Sequence, residues 1–392
     1  MNAARVASFP IGASATIEEL ERDPHPLLAR LRESEPVSWL PALDGWLVTR
    51  RDLTLEVMRD AETYTVDDPR FSTGQVVGPS MLTLEGVEHA RHRDPFARPF
   101  RLDEVRARFA DFVAAETDRL LDAIEPVGEA ELRRALAGPL SVASMVRALG
   151  LDEEDADEVL GWYDSIVAGV TSITAGQPAA PAATAAFEQL RGSVERAFGR
   201  DPGSSLVAAA AADGDGLSGS EVVSNAAVLL FGGIETTEGM TANSIFHVLS
   251  NPEQRESLER EPALVGAAVE ESLRLEPAAA VVDRYATRAV ELAGARIGER
   301  ELVTVSLAGG NRDPAVFAEP DRFDLSRENT RLHVTFAQGP HVCIGMHLAR
   351  LEARVALERL LARLPGVQLD SARPSAPRGL VFRKPPTLWA HW

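Results

Sequence analysis

The sequence predicts a mainly α-helical fold with a smaller β-rich region. The strongest helical signal is the segment from Ser218 to Ser250, which is largely apolar and continuous for roughly 30 residues, or about 45 Å. Apolar residues also recur near helical spacing from Val105 to about Arg200. Short alternating segments, which are typical of strands, lie at 37–40, 45–49, 281–286 and 303–307.

Length and composition indicate one globular domain. The 392 residues are 45% apolar and 25% charged, and no segment has the composition of a linker, so we expect a single domain over residues 1–392. With 59 acidic and 40 basic residues, the net charge of −19 argues against nucleic acid or an anionic membrane surface as a partner. No run of about 18 apolar residues occurs and the N-terminus lacks a signal-peptide core, so we expect a cytoplasmic protein.

The N-terminal part mixes short elements. A helix is predicted around Pro26 to Glu33, and the two alternating segments that follow it predict a hairpin. Residues 64–84 contain two prolines and two glycines and are predicted to be irregular. A loop of this length inside a compact domain is usually functional or mobile.

The helix predicted from Glu85 to Phe100 carries a basic pair. His89 and Arg93 lie four residues apart and therefore on one face of the helix. The pair forms either a solvated basic surface or a clamp for carboxylates, and the spacing alone does not separate the two. Pro95 and Pro99 are expected to kink this helix or end it early.

The long helix begins at a capping box, Ser218 with Glu221, and has an unusual middle. Gly232-Gly233 costs about 2 kcal/mol relative to two alanines, so it requires a reason, and close approach of a ligand to the backbone is one. Directly after it, Glu235 and Thr236 place an acid beside a hydroxyl group. The alternative is a helix kink with surface carboxylates.

Cys343 is the only cysteine and cannot form an internal disulfide, which leaves buried filler, nucleophile or metal ligand as its role. Gly339-Pro340 predicts a turn before it, and Met346 to Leu361 predicts a helix after it. The cysteine is therefore placed at a helix N-terminus. There the helix dipole stabilises a thiolate, which is the form that ligates iron or attacks carbon.

The ten residues around Cys343 resemble the haem-binding loop of the cytochrome P450 family. The five defined positions of the family pattern are met by Phe336, Gly339, His341, Cys343 and Gly345. Ala337 departs mildly from the pattern, because bacterial relatives commonly have glycine there. The resemblance implies a cytochrome P450 fold with one haem b (iron protoporphyrin IX), whose proximal iron ligand is the Cys343 thiolate.

The same resemblance assigns roles elsewhere in the chain. The haem propionates would be held by His89, Arg93, Arg284 and His341, and the haem would also contact Gly232, Phe336 and Gly345. Proton delivery to bound oxygen would fall to Glu235 and Thr236. The substrate would meet Phe231, Ala278, Val282 and Val381. A buried ionic network with a structural role would be formed by Glu271, Arg274 and Arg322.

Two further segments gain an interpretation from the resemblance. Residues 174–184, which are otherwise a plain linker between helices, would form a lid-like loop beside the substrate entrance. The C-terminal segment from Arg378 to Trp389 would form a hairpin whose tip touches substrate. The family often has asparagine three residues after the first threonine of the long helix. This chain has Gly239 there, so a different water network is expected.

The implied function is a monooxygenase. It would insert one oxygen atom from O₂ into a largely hydrophobic small molecule by hydroxylation or epoxidation, and the expected substrate class is secondary metabolites. Electrons would come from a separate ferredoxin-type donor, since no reductase module is fused to the haem domain. The alternatives are a peroxide-driven or non-hydroxylating haem-thiolate enzyme, a haem-thiolate protein without turnover, and a cysteine hydrolase that pairs Cys343 with a histidine.

Overall fold

Helices dominate the chain, which a computed structural model describes for residues 2–151, 156–174, 178, 180–198, 200–201, 203, 205–212 and 216–392. The helices are α1 Asn2–Ser8, α2 Pro10–Ser14, α3 Ile17–Arg22, α4 His25–Ser34, α5 Arg51–Arg59, α6 Ser72–Val77, α7 Gly86–Ala97, α8 Leu102–Ile124, α9 Gly138–Leu149, α10 Ala156–Thr174, α11 Pro181–Ala197, α12 Leu206–Ala212, α13 Gly219–Ser250, α14 Pro252–Arg260, α15 Val265–Leu275, α16 Leu307–Gly310 and α17 Met346–Arg363. A mainly helical fold is thus confirmed.

Strands within the described residues form three small sheets. They are β1 Val37–Leu40, β2 Gly45–Val48, β3 Tyr64–Thr65, β4 Glu129–Glu131, β5 Val281–Ala286, β6 Val290–Leu292, β7 Ala295–Ile297, β8 Leu302–Ser306, β9 Gln368–Leu369 and β10 Trp389–His391. The largest sheet has the order β1-β2-β8-β5-β3, in which only β2 and β8 run parallel. The other two are β4-β10-β9 and the hairpin β6-β7.

Helix α13 is the central element. Its predicted capping box is present: the Ser218 hydroxyl accepts a hydrogen bond from the Glu221 backbone N–H, and the Glu221 carboxylate accepts one from the Ser218 N–H at 2.7 Å. The helix is buried along most of its length and packs against α9, α11, α15 and α17. Because α17 follows directly after Cys343, this packing sets the distance between the cysteine loop and the middle of α13.

Several local predictions are confirmed and two are wrong. The hairpin β1-β2, the strands β5 and β8 and the helix α4 lie where they were predicted. Residues 64–84 are less irregular than predicted, since they contain β3 and α6. Pro95 does not end its helix: α7 runs through it to Ala97 and continues as a 3₁₀ turn to Phe100. Pro95 is tolerated because it lies in the last turn, where only one backbone hydrogen bond is lost.

The family resemblance assigns two segments, residues 174–184 and the C-terminal hairpin, to the substrate site. Of the loop predicted at 174–184, residues 175–177 and 179 lie outside the described residues; α10 ends at Thr174 and α11 begins at Pro181. The C-terminal hairpin is present in reduced form, as an antiparallel bridge between Arg378 and Lys384. No helix within the described ranges is long and apolar enough to span a membrane.

Candidate functional site

The loop before α17 holds Cys343 in a fixed position. The Cys343 N–H donates to the Phe336 carbonyl oxygen at 2.8 Å, which closes the loop. Two of its residues, Ala337 and Gly339, have left-handed backbone with φ of 56° and 77°. Gly339 cannot be replaced without movement, because an added Cβ would collide with the Met58 carbonyl oxygen. Ala337 adopts a conformation that costs an L-residue about 1 kcal/mol, which explains why glycine suits this position better.

The thiol of Cys343 lies in a mixed environment. Burial raises its pKa, whereas the Gly345 N–H and the positive charges of Arg93 and Arg350 act in the opposite direction. The residue nevertheless keeps some accessible surface, as do its neighbours from His341 to His347. A cysteine that lies within the fold yet keeps accessible surface is compatible with a ligand site beside it.

The middle of α13 has the same property. Phe231, Gly232, Glu235 and Thr236 are partly accessible, although the helix is buried on both sides of them. A Cβ built on Gly232 has no atom within 4 Å, so this glycine borders open space. Gly233 differs, because a Cβ there would collide with the Met145 side chain. The two glycines therefore have separate reasons: Gly232 faces open space and Gly233 allows α9 to pack closely.

Glu235 and Thr236 are both engaged within the protein. The Thr236 hydroxyl donates to the Gly232 carbonyl oxygen at 2.6 Å. The Glu235 carboxylate accepts a hydrogen bond from the Tyr163 hydroxyl and forms an ion pair with Lys384 at 2.8 Å. Tyr163 and Lys384 were not identified from the sequence. The only available signal was that Lys384 is the sole lysine.

Four basic side chains gather beside the cysteine loop. The rings of His89 and His341 lie 4.3 Å apart, and the Arg93 guanidinium donates to the Val342 carbonyl oxygen at 2.6 Å. His341 is also 3.0 Å from Glu85, an acid that sequence reasoning missed. Burial acts to raise the pKa of Glu85, but His341, the Val66 N–H and the charge of Arg284 outweigh it and lower that pKa. Because the charge of Arg284 acts on Glu85, Arg284 belongs to the same cluster.

The two arginines of the cluster lack ion pairs. Among the described residues, neither Arg93 nor Arg284 forms an ion pair, although Arg284 is only 5% exposed and a buried charge without a partner is costly. The buried Nε2 of His89 has no hydrogen-bond partner. Burial, followed by the charges of His341 and Arg93, lowers the pKa of His89 to about 4, so its ring is neutral near pH 7. These groups fit a ligand that brings its own carboxylates.

These observations fit haem b. A planar ligand with two carboxylates and a central iron requires anion-binding groups at one edge, a thiolate on one face and an open helix on the other. Arg93, Arg284 and His89 supply the first, Cys343 the second and Gly232 the third. No cluster of three or more histidine, cysteine or acidic side chains that could hold another metal ion occurs in the described part of the chain.

The predicted substrate residues are only partly brought together. Phe231 on α13 contacts Phe382 edge to face at 5.6 Å and lies 6.5 Å from the ring of Tyr163. Val381 is 38% exposed, and Ala278 is buried next to Gly239. Val282 packs against the hydrophobic core formed by the side chains of the large sheet, such as Val48 and Val305. Phe382 was not predicted, and an aromatic side chain in an alternating segment gives no signal that separates core from pocket.

The buried ionic network contains a different arginine from the one predicted. Glu271 and Arg274 are fully buried and joined by two hydrogen bonds of 2.8 Å. The prediction that Arg322 completes them is wrong: its side chain is 55% exposed and pairs with Glu319, and only its carbonyl oxygen accepts from Arg274. Arg327 takes the place instead, 2.9 Å from Glu271. The chain between these two arginines is irregular, so no periodicity indicates which of them points inward.

The hydrolase alternative finds no support in the geometry. It requires a histidine that activates the Cys343 thiol. In the described ranges no histidine hydrogen-bonds Cys343, and the nearest candidate in sequence, His341, is paired with Glu85 instead.

Comparison with known proteins agrees with the fit to haem. The family model described as Cytochrome P450 matches residues 183–389. The chain is 36% identical to nocardicin C N-oxygenase of Nocardia uniformis subsp. tsuyamanensis, covering 98% of each, and 34% identical to the cytochrome P450 monooxygenase PikC of Streptomyces venezuelae, covering 90% of this chain and 86% of that one. The crystal structure of CalO2 superposes with a TM-score of 0.87 at 28% identity, covering 96% of this chain and 97% of the other.

Proposed function

The chain belongs to the cytochrome P450 family and is a haem-thiolate monooxygenase with haem b as its cofactor, and from this premise we propose that residues 1–392 form one haem domain that oxidises a largely hydrophobic secondary metabolite. When bound, the haem iron activates O₂ for insertion of one oxygen atom into the substrate. The electrons come from a separate ferredoxin-type protein. The relatives support the substrate class, since one is named for nocardicin C and another for vitamin D(3).

The observation that carries the proposal is the closed loop around Cys343. The loop fixes the cysteine between left-handed Gly339 and the open position of Gly345, and Arg93 and Arg350 add positive charge near the sulfur. We assign Cys343 as the axial ligand. The ferrous protein with carbon monoxide should then show the red-shifted Soret band of a thiolate complex. A band of the histidine-ligated type in freshly purified, folded protein would contradict the assignment.

The propionates are proposed to bind His89, Arg93, Arg284 and His341. Arginine donates charge-assisted hydrogen bonds to carboxylates, often two at once. The buried guanidinium of Arg284 and the half-buried one of Arg93, which lack ion pairs among the described residues, can each bind a carboxylate, and the neutral His89 can donate from its unpartnered Nε2. Glu85 keeps His341 oriented by accepting its hydrogen bond. The clamp thus fixes the cofactor at its edge, while Cys343 and Phe336 hold it at the proximal face.

Glu235 and Thr236 are proposed to move protons at the distal side. Oxygen activation consumes protons in a site that excludes bulk water, so an ionisable group has to connect the site to solvent and a hydroxyl has to hold the relay. Thr236 lies one turn after Gly232, and its hydroxyl can turn from the Gly232 carbonyl toward the open space. No arginine occupies the acid position, which favours O₂ with a reductase chain over peroxide as the oxidant.

The proton role is tested by Thr236→Ala, with product, oxidised cofactor and hydrogen peroxide all quantified. We expect continued oxidation of the reduced cofactor with less product and more hydrogen peroxide, while turnover driven by added peroxide is better preserved. Full coupling in this variant would place oxygen activation on other groups.

Phe231 and Phe382 are proposed as the aromatic wall of the substrate site. Their edge-to-face contact joins α13 to the C-terminal hairpin, next to the accessible turn of α13. An apolar wall of this kind suits a hydrophobic ligand. A spectral-shift screen against terpenoids, macrolides and aromatic compounds would identify the class. Phe382→Ala should then change affinity or regioselectivity without loss of haem, and an unchanged product profile would remove Phe382 from the site.

A further inference from the structure

Lys384 joins two acids of α13 by one ammonium group. Its Nζ lies 2.8 Å from Glu235 and 2.6 Å from Glu238, which stand three residues apart on the helix. The three side chains are 13%, 12% and 7% exposed, so the ion pairs are largely shielded from water. Glu238 also accepts a hydrogen bond from Arg133 at 2.6 Å. Nothing in the proposed function so far accounts for this lysine, which is the only one in 392 residues.

Helix α13 leaves room for the lysine at Gly239. A Cβ at this glycine would lie 3.6 Å from both Cβ and Cδ of Lys384, and 3.0 Å from the Ala278 methyl group. A longer side chain at position 239 would therefore occupy the path of the lysine stem. Two backbone hydrogen bonds with Arg378 fix the start of that stem. Position 239, where the family often has asparagine, is glycine in this chain, and this glycine leaves the space through which Lys384 reaches Glu235.

Ionisable groups from three further elements surround the two glutamates. The Tyr163 hydroxyl of α10 donates to Glu235, while Arg133, in the π-helical turn at Arg133–Ala137, and Lys384, in the C-terminal hairpin, are the cations that act on Glu238. Asp164 and Arg134 are exposed neighbours. Lys384 is the cation of this group that contacts both glutamates.

Lys384 also acts on the acids around it. Burial acts to raise the pKa of Glu238, but the charges of Lys384 and Arg133 outweigh it and lower that pKa. Burial, then the charges of Glu238 and Glu235, raise the pKa of Asp164, although Arg134 and Lys384 act against them. A close cation therefore favours the charged form of an acid at this place in the fold.

We infer that Lys384 is a positioning residue for oxygen activation: its ion pair holds the Glu235 carboxylate in place beside Thr236, from where Glu235 passes protons to the distal site. The inference rests on the proton role proposed above for Glu235. Glu235 takes each proton from the solvent side and releases it toward Thr236, so that it returns to the carboxylate paired with Lys384.

The pairing can be tested without turnover, because the protein contains one lysine. In full-length, haem-loaded ferric protein labelled with ¹⁵N-lysine, a single ε-ammonium resonance is expected. We expect it to be protected from exchange near pH 7 and to shift or broaden in Glu235→Gln and in Glu238→Gln. Glu259→Gln, which alters an exposed acid on α14, is the control and should leave the resonance unchanged. A rapidly exchanging resonance that ignores Glu235→Gln would overturn the inference.

The functional consequence is tested with Lys384→Met and Lys384→Arg. Removing the positive charge beside the Glu235 carboxylate should move the pH dependence of product formed per reduced cofactor oxidised upward in Lys384→Met. Lys384→Arg should restore the wild-type profile. The carbon monoxide spectrum establishes that each variant is folded and carries haem.

The outcomes separate this inference from the proposed function. An unchanged profile in Lys384→Met, with Thr236→Ala uncoupled, overturns the role of Lys384 and leaves the proton role of Thr236 standing. Full coupling at every pH in both Thr236→Ala and Glu235→Gln overturns the proposed proton relay itself. If Lys384→Met does not fold, the resonance of the single lysine in Glu235→Gln decides alone.

Discussion

At the scale of single residues, the network around Glu271 gives the sharpest contrast. Arg327→Gln should destabilise the protein by about 3 kcal/mol, because it removes a cation from a fully buried carboxylate. Arg322→Gln should change the free energy of unfolding by about 0.5 kcal/mol or less, since its side chain is exposed. Urea unfolding of both variants measures the difference. Equal effects would mean that Arg322 shares the network.

The cationic cluster beside Cys343 makes a second residue-scale prediction. Arg284→Ala should reduce haem retention several-fold, because it removes a buried guanidinium that has no ion pair of its own in the described part of the chain. Arg288→Ala is the matched control. It lies two residues beyond β5 and donates to the Thr63 hydroxyl. Haem content per protein after gel filtration checks the prediction, and equal retention in the two variants would argue against a propionate clamp at Arg284.

These residues also show how much of the site could be predicted from the sequence. The placement of Cys343 at a helix N-terminus and of His89 and Arg93 on one helix face could be predicted, because it depends on local spacing. Tyr163, Lys384 and Phe382 could not, since each acts through a contact between elements that are distant in the chain. The assignment of Arg322 failed for a related reason. An irregular segment has no period that says which side chain faces inward.

At the scale of elements, helix α13 carries a buried histidine on its last turns. His247 is 6% exposed, lies 2.9 Å from the Ser272 hydroxyl of α15 and stacks on Phe323. Burial lowers its pKa to about 3, with smaller opposing and reinforcing effects from Glu276 and Arg312. The folded protein therefore resists protonation that the unfolded chain accepts. The free energy of unfolding should fall as the pH is lowered from about 6.5 toward 3.

Substitution of His247 tests whether this residue causes the pH dependence of unfolding. His247→Gln should bind about one proton fewer upon unfolding, so its free energy of unfolding should depend less steeply on pH over that range. At pH 8 the variant should already be less stable, because it loses the stacking contact with Phe323. His391→Gln, at an exposed position of β10, is the control. Parallel pH dependences for wild type and His247→Gln would show that another group titrates in this range.

The elements themselves were more predictable than their ends. The capping box at Ser218 and Glu221 marks the start of α13 because its signal is entirely local. Pro95 misled because its effect depends on position: it would break a helix in the middle but costs one hydrogen bond in the last turn of α7. The close packing of Gly233 against Met145 could not be predicted from the sequence, because Met145 belongs to α9, which is distant in the chain.

At the scale of the whole molecule, charge is unevenly distributed. The chain carries −19, yet two exposed arginines, Arg106 of α8 and Arg354 of α17, add positive charge where these two helices pack together, and we call them the basic surface. Burial and the charges of Arg350 and Arg106 lower the pKa of His347. Arg350 itself is held by Glu270 at 2.6 Å and lies over the Phe336 ring, so it is less available to a partner. This basic surface is our candidate for the electron-donor contact.

The donor contact is testable by ionic strength. Arg106→Glu should slow reduction by an acidic ferredoxin at low salt, and the deficit should shrink at high salt because screening weakens electrostatic steering. Arg191→Glu on α11, whose side chain is 41% exposed, is the matched charge reversal outside this surface. Stopped-flow reduction under carbon monoxide measures the rates. An equal loss of rate in both variants would assign the effect to net charge.

The parallel pairing of β2 with β8 has a consequence for how the chain is made. During synthesis the hairpin β1-β2 emerges early, but the strand that covers its open edge, with Trp46 beside Val303, is completed only when most of the chain has left the ribosome. An uncovered strand edge invites pairing with other chains, and such long-range contacts form slowly. The nascent protein is therefore most prone to aggregate before β8 arrives, and it acquires Cys343, the proposed iron ligand, only after that interval has passed.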